Sequence, residues 1–372
     1  MLSEPIQTFV YSLKSRETQK QYLLYLGYFV EWHKKKIDSL LKLDSKIIEK
    51  ILIQYIMSMR GKGLSSAYVK GRMSPVVSFL ELNDISVNKK KIGKFYAEYR
   101  KTVRDEAYTR EDIQKMIQYA SFRVRVMILI YSSTGIRRSA LIDLKLKHLE
   151  KVETSQGIKL YKFRIYENTK EEYTTFCTPE CANAIDQYID KRKSDGEKIT
   201  QESFLIRNDY DANRGGAGTS YSSIRNPKPL NKNNLMVLIP SLLTRINFRQ
   251  RNHVTENYKY QRQNKSTFHA FRKFFNTCLG NCDVNVTIKE MMMGHSTGLD
   301  DTYYKPNEKQ MLSEYSKAIN ELTISDENRL RIENEIMKEE RDEIKMLASR
   351  IQLLEKQLKS SNGNSNGNGD VK

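Results

Sequence analysis

No stretch of this chain approaches the roughly 18 consecutive apolar residues that a membrane-spanning helix requires. The first residues, MLSEPIQTFVYSLKSRETQ, also lack the basic and apolar segments of a secretory signal. These two absences exclude an integral membrane protein and predict a location in the cytoplasm.

Cysteine is scarce, with four residues that form two pairs, Cys177-x3-Cys181 and Cys278-x3-Cys282. Two paired thiols could complete a tetrahedral zinc site, and this spacing is permitted for one. The surrounding residues, FCTPEC and CLGNC, show none of the turn chemistry of a zinc knuckle, so buried reduced thiols are the default interpretation. We predict no bound metal and no cofactor.

Two signatures of phosphate chemistry are missing as well. The glycine-rich stretch RGGAG lacks the Gly-Lys-Ser/Thr ending of a phosphate-binding loop. No paired carboxylates indicate a magnesium site. Any reaction at a phosphate would therefore have to rely on cationic side chains.

Basic residues, by contrast, are abundant. Lys and Arg total 63 against 45 Asp and Glu, a net charge of +18. Residues 325–372 hold 9 basic and 10 acidic residues, so the first 324 residues carry 54 against 35. Such an excess, together with 22 tyrosines, suits a polyanionic partner such as nucleic acid. The alternative is a basic protein with no such partner.

Residues 1–100 predict a small helical domain. The segment SRETQKQYLLYLGYFVEWHKK carries one apolar stripe at helical spacing, formed by Tyr22, Tyr25, Leu26, Phe29 and Val30. The basic run NKKKIGKFYAEYRKTVR, residues 88–104, is predicted to be a linker to the next domain.

Residues 101–320 predict a second, mixed domain. Thr109 and Asp112 form a capping box at the start of a helix. The apolar run VRVMILIYSSTG fits a buried helix or a strand by periodicity, and its length favours a helix. Apolar and polar residues alternate on both sides of ENTKEE, which predicts a β-hairpin. The predicted fold is mainly α with a small antiparallel β-sheet.

A heptad pattern occupies residues 325–359. Its apolar a and d positions are Leu330, Met337, Ile344, Leu347, Ile351, Leu354 and Leu358. Glu333 and Glu340 interrupt it at two d positions. The segment is either a short coiled coil or an amphipathic helix folded back on the body, and its nearly balanced charge favours a protein contact over a DNA contact. The tail, residues 360–372, is predicted to be disordered.

Three short motifs concentrate the side chains that suit phosphate chemistry. TGIRRSALIDL places Arg137 just after a glycine turn, and HAFR places His269 and Arg272 on one face of a helix. MMMGHSTGLDDTYYKP contains His295 and two adjacent tyrosines, while Lys170 lies at the tip of the predicted hairpin. Guanidiniums bind phosphate oxygens bidentately, and a tyrosine can attack phosphorus to form a covalent phosphotyrosine.

Each of these residues also has a bland interpretation when it is taken alone. An arginine after a glycine turn can simply cap a helix, and a histidine in an apolar segment is more often a satisfied core residue. A lysine at a hairpin tip is ordinary. The order of the motifs along the chain changes that balance.

The four motifs in this order resemble the tyrosine recombinase, or phage integrase, family, which includes the Xer, Cre and lambda integrase enzymes. TGIRRSAL is similar to the family's Thr-Gly-Leu-Arg-x-Ser-Glu-Leu, HAFR to its His-x-Leu-Arg, and MGHSTGLDDTYYKP to its Leu-Gly-His followed by the nucleophile. The resemblance covers about residues 8–318, and the YYKP ending is closest in texture to integrases of archaeal mobile elements.

The resemblance implies a role for each matching residue. Arg137 and Arg272 would clamp the scissile phosphate, and His295 would hydrogen-bond to it. Lys170 would protonate the leaving 5′ oxygen, and His269 would assist proton transfer at the nucleophile. Tyr304 would attack phosphorus, because the family places its nucleophile nine residues after this histidine; Tyr303 is the alternative.

The family also implies a two-domain clamp on double-stranded DNA, a homotetramer on two sites and an association with the nucleoid. We therefore predict a site-specific recombinase, the integrase of a mobile element. The rivals are a Xer-type dimer resolvase and a DNA-binding regulator without catalytic activity. Ala140 departs from the family because it replaces the common Glu near the first arginine; Asp143, one turn later, could substitute for it.

Overall fold

The computed structural model describes residues 3–98, 105–208, 224, 226–248, 264–296, 298 and 303–363. The chain divides into two compact units, residues 1–102 and 103–372, and the boundary predicted at residue 100 lies next to this division. Each unit has its own buried core.

The first unit is helical throughout its described part. Its elements are α1 (Glu4–Ser12), α2 (Arg16–His33), a 3₁₀ helix (Ile37–Lys42), α3 (Ser45–Gly61), α4 (Ser66–Leu82) and α5 (Lys89–Gly93). The Ser15 side chain caps α2 by accepting from the Thr18 N–H, and the predicted apolar stripe buries Leu26 and Phe29 in the core.

The segment predicted to be a linker is in part folded onto this unit. Its first residues form α5, which the Asn88 side chain caps, and Ile92 is buried in the core. Lys91 contacts the Glu49 carboxylate at 2.6 Å. The linker prediction was therefore wrong for residues 88–93, because the basic charge of the run concealed one apolar residue at an inward-facing position.

The second unit is mixed. Its helices are α6 (Arg110–Tyr119), α7 (Phe122–Thr134), α8 (Ala140–Asp143), a 3₁₀ helix (Leu146–His148), α9 (Pro179–Ser194), α10 (Lys232–Arg245), α11 (His269–Asn281), α12 (Val286–Met292), α13 (Glu308–Ser316), α14 (Ile319–Leu322) and α15 (Asp326–Gly363). The predicted capping box of Thr109 and Asp112 begins α6. α7 is buried on nearly all sides and is the central helix of this core.

Three antiparallel strands form the sheet: β1 (Leu149–Glu153), β2 (Lys159–Ile165) and β3 (Tyr173–Phe176). The hairpin of β2 and β3 agrees with the sequence prediction and pairs Ile165 with Tyr173. β1 was not predicted, since its residues LEKVE carry only two apolar side chains and bury neither fully. The prediction of a mainly helical protein with a small antiparallel sheet is confirmed.

The heptad segment forms α15, which extends to Gly363 and so includes the first four residues of the predicted tail; the rest of the tail lies outside the described residues. No helix in the described parts of the chain combines the length and apolar character needed to cross a membrane.

Candidate active site

Two helix ends build the site, and each ends at a glycine in the left-handed region. α7 ends at Gly135, whose φ is +60° and whose N–H donates to the Tyr131 carbonyl at 3.2 Å. The Phe275 ring fills the space where a side chain would stand, because a Cβ built on Gly135 would lie 2.7 Å from its Cγ. Only glycine therefore fits the turn that delivers Arg137.

The second helix end is the Gly-His pair that follows α12. The Gly294 N–H donates to the Met291 carbonyl at 2.9 Å, and the His295 N–H donates to the Glu290 carbonyl at 3.0 Å. These two bonds define a Schellman motif with Gly294, at φ +61°, as the left-handed residue. The motif places the side chain of His295 beside that of Glu290.

The two helix ends hold both arginines through backbone carbonyls. Arg272, on α11, donates from Nη1 to the Gly135 carbonyl at 2.6 Å and from Nη2 to the Met293 carbonyl. Arg137 donates from Nη2 to the Gly294 carbonyl at 2.7 Å. The last carbonyls of a helix lack partners within it, so the guanidiniums satisfy groups that would otherwise be unpaired. These contacts join three segments that lie far apart in sequence.

His295 completes the cluster. Arg272 Nη2 lies 2.7 Å from His295 Nε2, and His295 Nδ1 lies 2.5 Å from Glu290 Oε2. A guanidinium can only donate hydrogen bonds, so Nε2 must accept and the proton must be on Nδ1. Glu290 therefore accepts from Nδ1–H and fixes the orientation of the ring.

The electrostatics of the cluster suit an anion. The described partners of Arg137 and Arg272 are carbonyl oxygens and an imidazole nitrogen, which carry only partial charge. Burial, with the Arg137 cation beside it, lowers the pKa of the Arg272 guanidinium, yet arginine stays charged in proteins. Two positive charges thus lie side by side without a carboxylate bound to either within the described part of the chain.

The support that Asp143 was predicted to give is absent from the described contacts. Asp143 is exposed at the end of α8 and makes no hydrogen bond or ion pair with any described residue. Ala140 is buried. Backbone carbonyls at the two helix ends hold the arginines instead.

The other predicted residues are His269, Lys170 and the two tyrosines, and all of them are exposed. His269 is the exposed first residue of α11, one turn before Arg272. Lys170 is exposed in the turn between β2 and β3, and it has no hydrogen bond or ion pair with a described residue. Tyr303 and Tyr304 are 85% and 39% exposed.

The four cysteines are the residues that the sequence offered as possible zinc ligands. Cys177, Cys181 and Cys278 are buried free thiols, and Cys282 is half-buried. Burial raises the pKa of the Cys278 thiol to about 12. In the ranges that the structure describes, no three His, Cys, Asp or Glu side chains lie close enough together to hold a metal ion.

Two residues of the site, Glu290 and Tyr173, were not predicted from the sequence. Glu290 lies five residues before His295, and the Schellman motif is what brings their side chains together. Tyr173 packs its ring under Gly294. A Glu at the third position from the end of a helix that ends in Gly-His is a signal that could have found the first; nothing in the sequence indicates the second.

Comparison with known proteins identifies the family of this chain. The phage integrase family matches the chain over residues 106–310. The search of curated proteins returned no match. Among solved structures, the Tn1549 transposon integrase in complex with transposon right-end DNA is 16% identical, with a TM-score of 0.52, 84% of this chain covered and 97% of that one.

Two Xer proteins are also similar to this chain. XerA recombinase is 18% identical at a TM-score of 0.36, with 84% of this chain and 97% of that one covered. XerH site-specific recombinase bound to its difH substrate is 15% identical at a TM-score of 0.47, with 80% and 74% covered. Because the family match spans more than half of the residues and contains all three motifs, the chain belongs to the phage integrase family, the tyrosine recombinases.

Proposed function

We propose that this chain is a site-specific DNA recombinase, the integrase of a mobile element, which cleaves and rejoins duplex DNA without metal or ATP. The observation that carries the proposal is the convergence of Arg137, Arg272 and His295 on one point. The positive charge of the two arginines is not cancelled by a carboxylate bound to either, so a phosphodiester could enter and accept from their remaining N–H groups.

The proposed reaction needs only groups that the chain supplies. The phenolic oxygen of Tyr304 bonds to phosphorus, and its proton passes to His269. The bond from phosphorus to the 5′ oxygen breaks, and Lys170 donates a proton to that oxygen. The products are a 3′-phosphotyrosine and a free 5′ hydroxyl, and attack by the 5′ hydroxyl of another strand reverses the step.

The assignment of Tyr304 over Tyr303 is supported by exposure as well as spacing. Tyr303 presents 85% of its surface to solvent, whereas Tyr304 presents 39%. A nucleophile that must meet a bound phosphate is better served by the more sheltered position.

The partners in this proposal are double-stranded DNA and further copies of the chain. The helical first unit and the second unit would clamp the duplex, and four protomers would join two sites in the nucleoid. The net charge of +18 would favour binding to the phosphate backbone and would make that binding sensitive to salt.

The test is a duplex that carries a nick near the cleavage site, so that cleavage releases a short strand and traps the enzyme. Mapping the attachment junctions beside the gene supplies the sequence. We expect a covalent protein–DNA adduct that disappears in Tyr304→Phe and persists in Tyr303→Phe, which is the matched control. If the adduct is lost only in Tyr303→Phe, the nucleophile is Tyr303. If no form of the protein gives an adduct, the proposal of a recombinase is wrong and a DNA-binding regulator is the alternative.

The arginine cluster has its own test in the same assay. Arg272→Lys keeps a positive charge, but one ammonium cannot reach the Gly135 carbonyl, the Met293 carbonyl and His295 together. We expect adduct formation to fall by roughly 100-fold or more, as for a misplaced catalytic group. If Arg272→Lys forms the adduct at the same rate as the unaltered protein, the arginine cluster takes no part in the reaction.

A further inference from the structure

We propose that residues 344–358 of α15 pair with the same segment of a second copy of this chain as a parallel, two-stranded coiled coil. This surface is separate from the candidate active site. The proposal rests on the helix itself and does not depend on DNA cleavage.

The start of α15 is bound to the body of the second unit. Ile332 is buried in the core of this unit, and the Asn320 side chain donates to Glu333 at 2.8 Å. Gln114 donates to Asp326 at 3.1 Å. Glu333, which interrupts the heptad at a d position, is therefore used in a contact within the chain. It lies outside the proposed interface, whose apolar a and d residues between 344 and 354 we call the seam.

The later part of the helix is exposed in its described residues. Every residue from 341 to 357 is exposed. The apolar residues of the heptad are among them, with Ile344 66%, Leu347 61%, Ile351 56% and Leu354 51% exposed. The sequence left open whether this segment folds back on the body, and the structure excludes that alternative for these four residues.

The residue types at the seam select the partner. Ile344 and Ile351 occupy a positions, and Leu347 and Leu354 occupy d positions. β-branched residues at a combined with Leu at d favour a parallel pair of strands. A second copy of this helix is thus the surface whose side chains complement the seam.

The flanking charges favour the same arrangement. In a parallel pair, Arg350 at g faces Glu355 at e of the second copy, and the symmetry of the dimer forms this ion pair twice. The preceding contact joins Glu343 to Ala348 and is neutral. An antiparallel pair that matches Ile344 with Leu354 would instead bring Arg350 close to Arg350 of the second copy. The Arg350–Arg350 contact therefore disfavours this antiparallel pair, and the residue types at a and d select the parallel orientation.

Sedimentation of the full-length chain without DNA tests the proposal. We expect a dimer, and we expect Leu347→Glu with Leu354→Glu to raise its dissociation constant by roughly 100-fold or more, because the pair buries charge in the seam. The control is Met346→Glu with Leu353→Glu, which makes the same change at exposed positions one residue away on another face. This control should leave the dissociation constant unchanged.

The orientation is tested by exchanging charges. Arg350→Glu alone should weaken the dimer, and Arg350→Glu with Glu355→Arg should restore it. A chain that is monomeric throughout the range tested would overturn the proposal, as would equal effects of the seam and control pairs. If the double exchange fails to restore the dimer, the parallel arrangement is wrong. Failure of the covalent adduct assay would leave all these results unaffected.

Discussion

Gly294 is the position where one methyl group should disturb both the fold and the site. Its φ of +61° lies in the left-handed region, and a Cβ built on it would stand 2.5 Å from Cε1 of Tyr173. The left-handed conformation costs a residue with a side chain about 1–2 kcal/mol. Overpacking against the ring adds about 1–3 kcal/mol. We therefore expect Gly294→Ala to lower the free energy of unfolding by roughly 2–5 kcal/mol.

Gly157→Ala is the matched control for backbone strain. Gly157, in the turn between β1 and β2, has a φ of +73°, and the nearest atom to its added Cβ is Glu153 Oε1 at 3.6 Å. The free energy of unfolding of this variant should fall only by the cost of the left-handed conformation, about 1–2 kcal/mol. The difference between the two variants then measures the contact with Tyr173.

The assay can separate the two units. Trp32 is the only tryptophan in the chain and belongs to the first unit, so its fluorescence follows the unfolding of that unit. Circular dichroism follows the helices of both. In urea, Gly294→Ala should shift the dichroism transition of the second unit and leave the fluorescence transition in place.

Activity should fall more than stability alone would explain. The Gly294 carbonyl accepts from Arg137, and the turn orients His295, so a displaced turn moves two predicted catalytic groups. A displacement of about 1 Å can cost roughly 100-fold in rate. Single-turnover cleavage at a temperature where the variant is folded measures this loss. A stability loss in Gly294→Ala no larger than in Gly157→Ala would refute the argument that Tyr173 demands glycine here.

Three further predictions concern carboxylates and metal. Glu290→Ala removes the acceptor of His295 Nδ1–H and should slow cleavage by roughly 10- to 100-fold at unchanged DNA affinity, whereas Glu290→Gln keeps an acceptor and most of the rate; equal rates in all three proteins would contradict this. Glu197→Gln leaves the buried Arg192 and Arg207 without a counter-charge and should cost about 3–5 kcal/mol in urea unfolding, while the exposed Glu202→Gln should change little. Burial would raise the pKa of Glu197, but hydrogen bonds from the two arginines outweigh it and lower that pKa. The stabilisation by Glu197 is therefore complete above the unfolded-state pKa of about 4.3 and is lost as pH falls through the folded-state pKa. The free energies of unfolding of Glu197→Gln and the unaltered protein should become equal only in acid. Cleavage should persist in EDTA, and strict dependence on Mg²⁺ would overturn the metal-free mechanism.

Local patterns were enough to predict most of the helices and the hairpin. The capping box at Thr109, the helix through VRVMILIYSST and the strands around ENTKEE each depend on neighbours within a few residues, which are visible in the sequence. β1 and α5 were missed because their inward-facing residues are few, and only packing against the rest of the unit makes them regular.

The candidate site also has features that follow from local sequence and features that depend on distant contacts. The residue types, their order and the family can all be read from the sequence, because the motifs are short and contiguous. The folded chain was needed to show that the carbonyls of Gly135 and Gly294 hold Arg272 and Arg137, that Glu290 orients His295, and that Asp143 takes no described part. The donor and acceptor residues of the two arginine contacts are 137 and 157 positions apart in the sequence, and no local pattern specifies which distant carbonyl a guanidinium will meet.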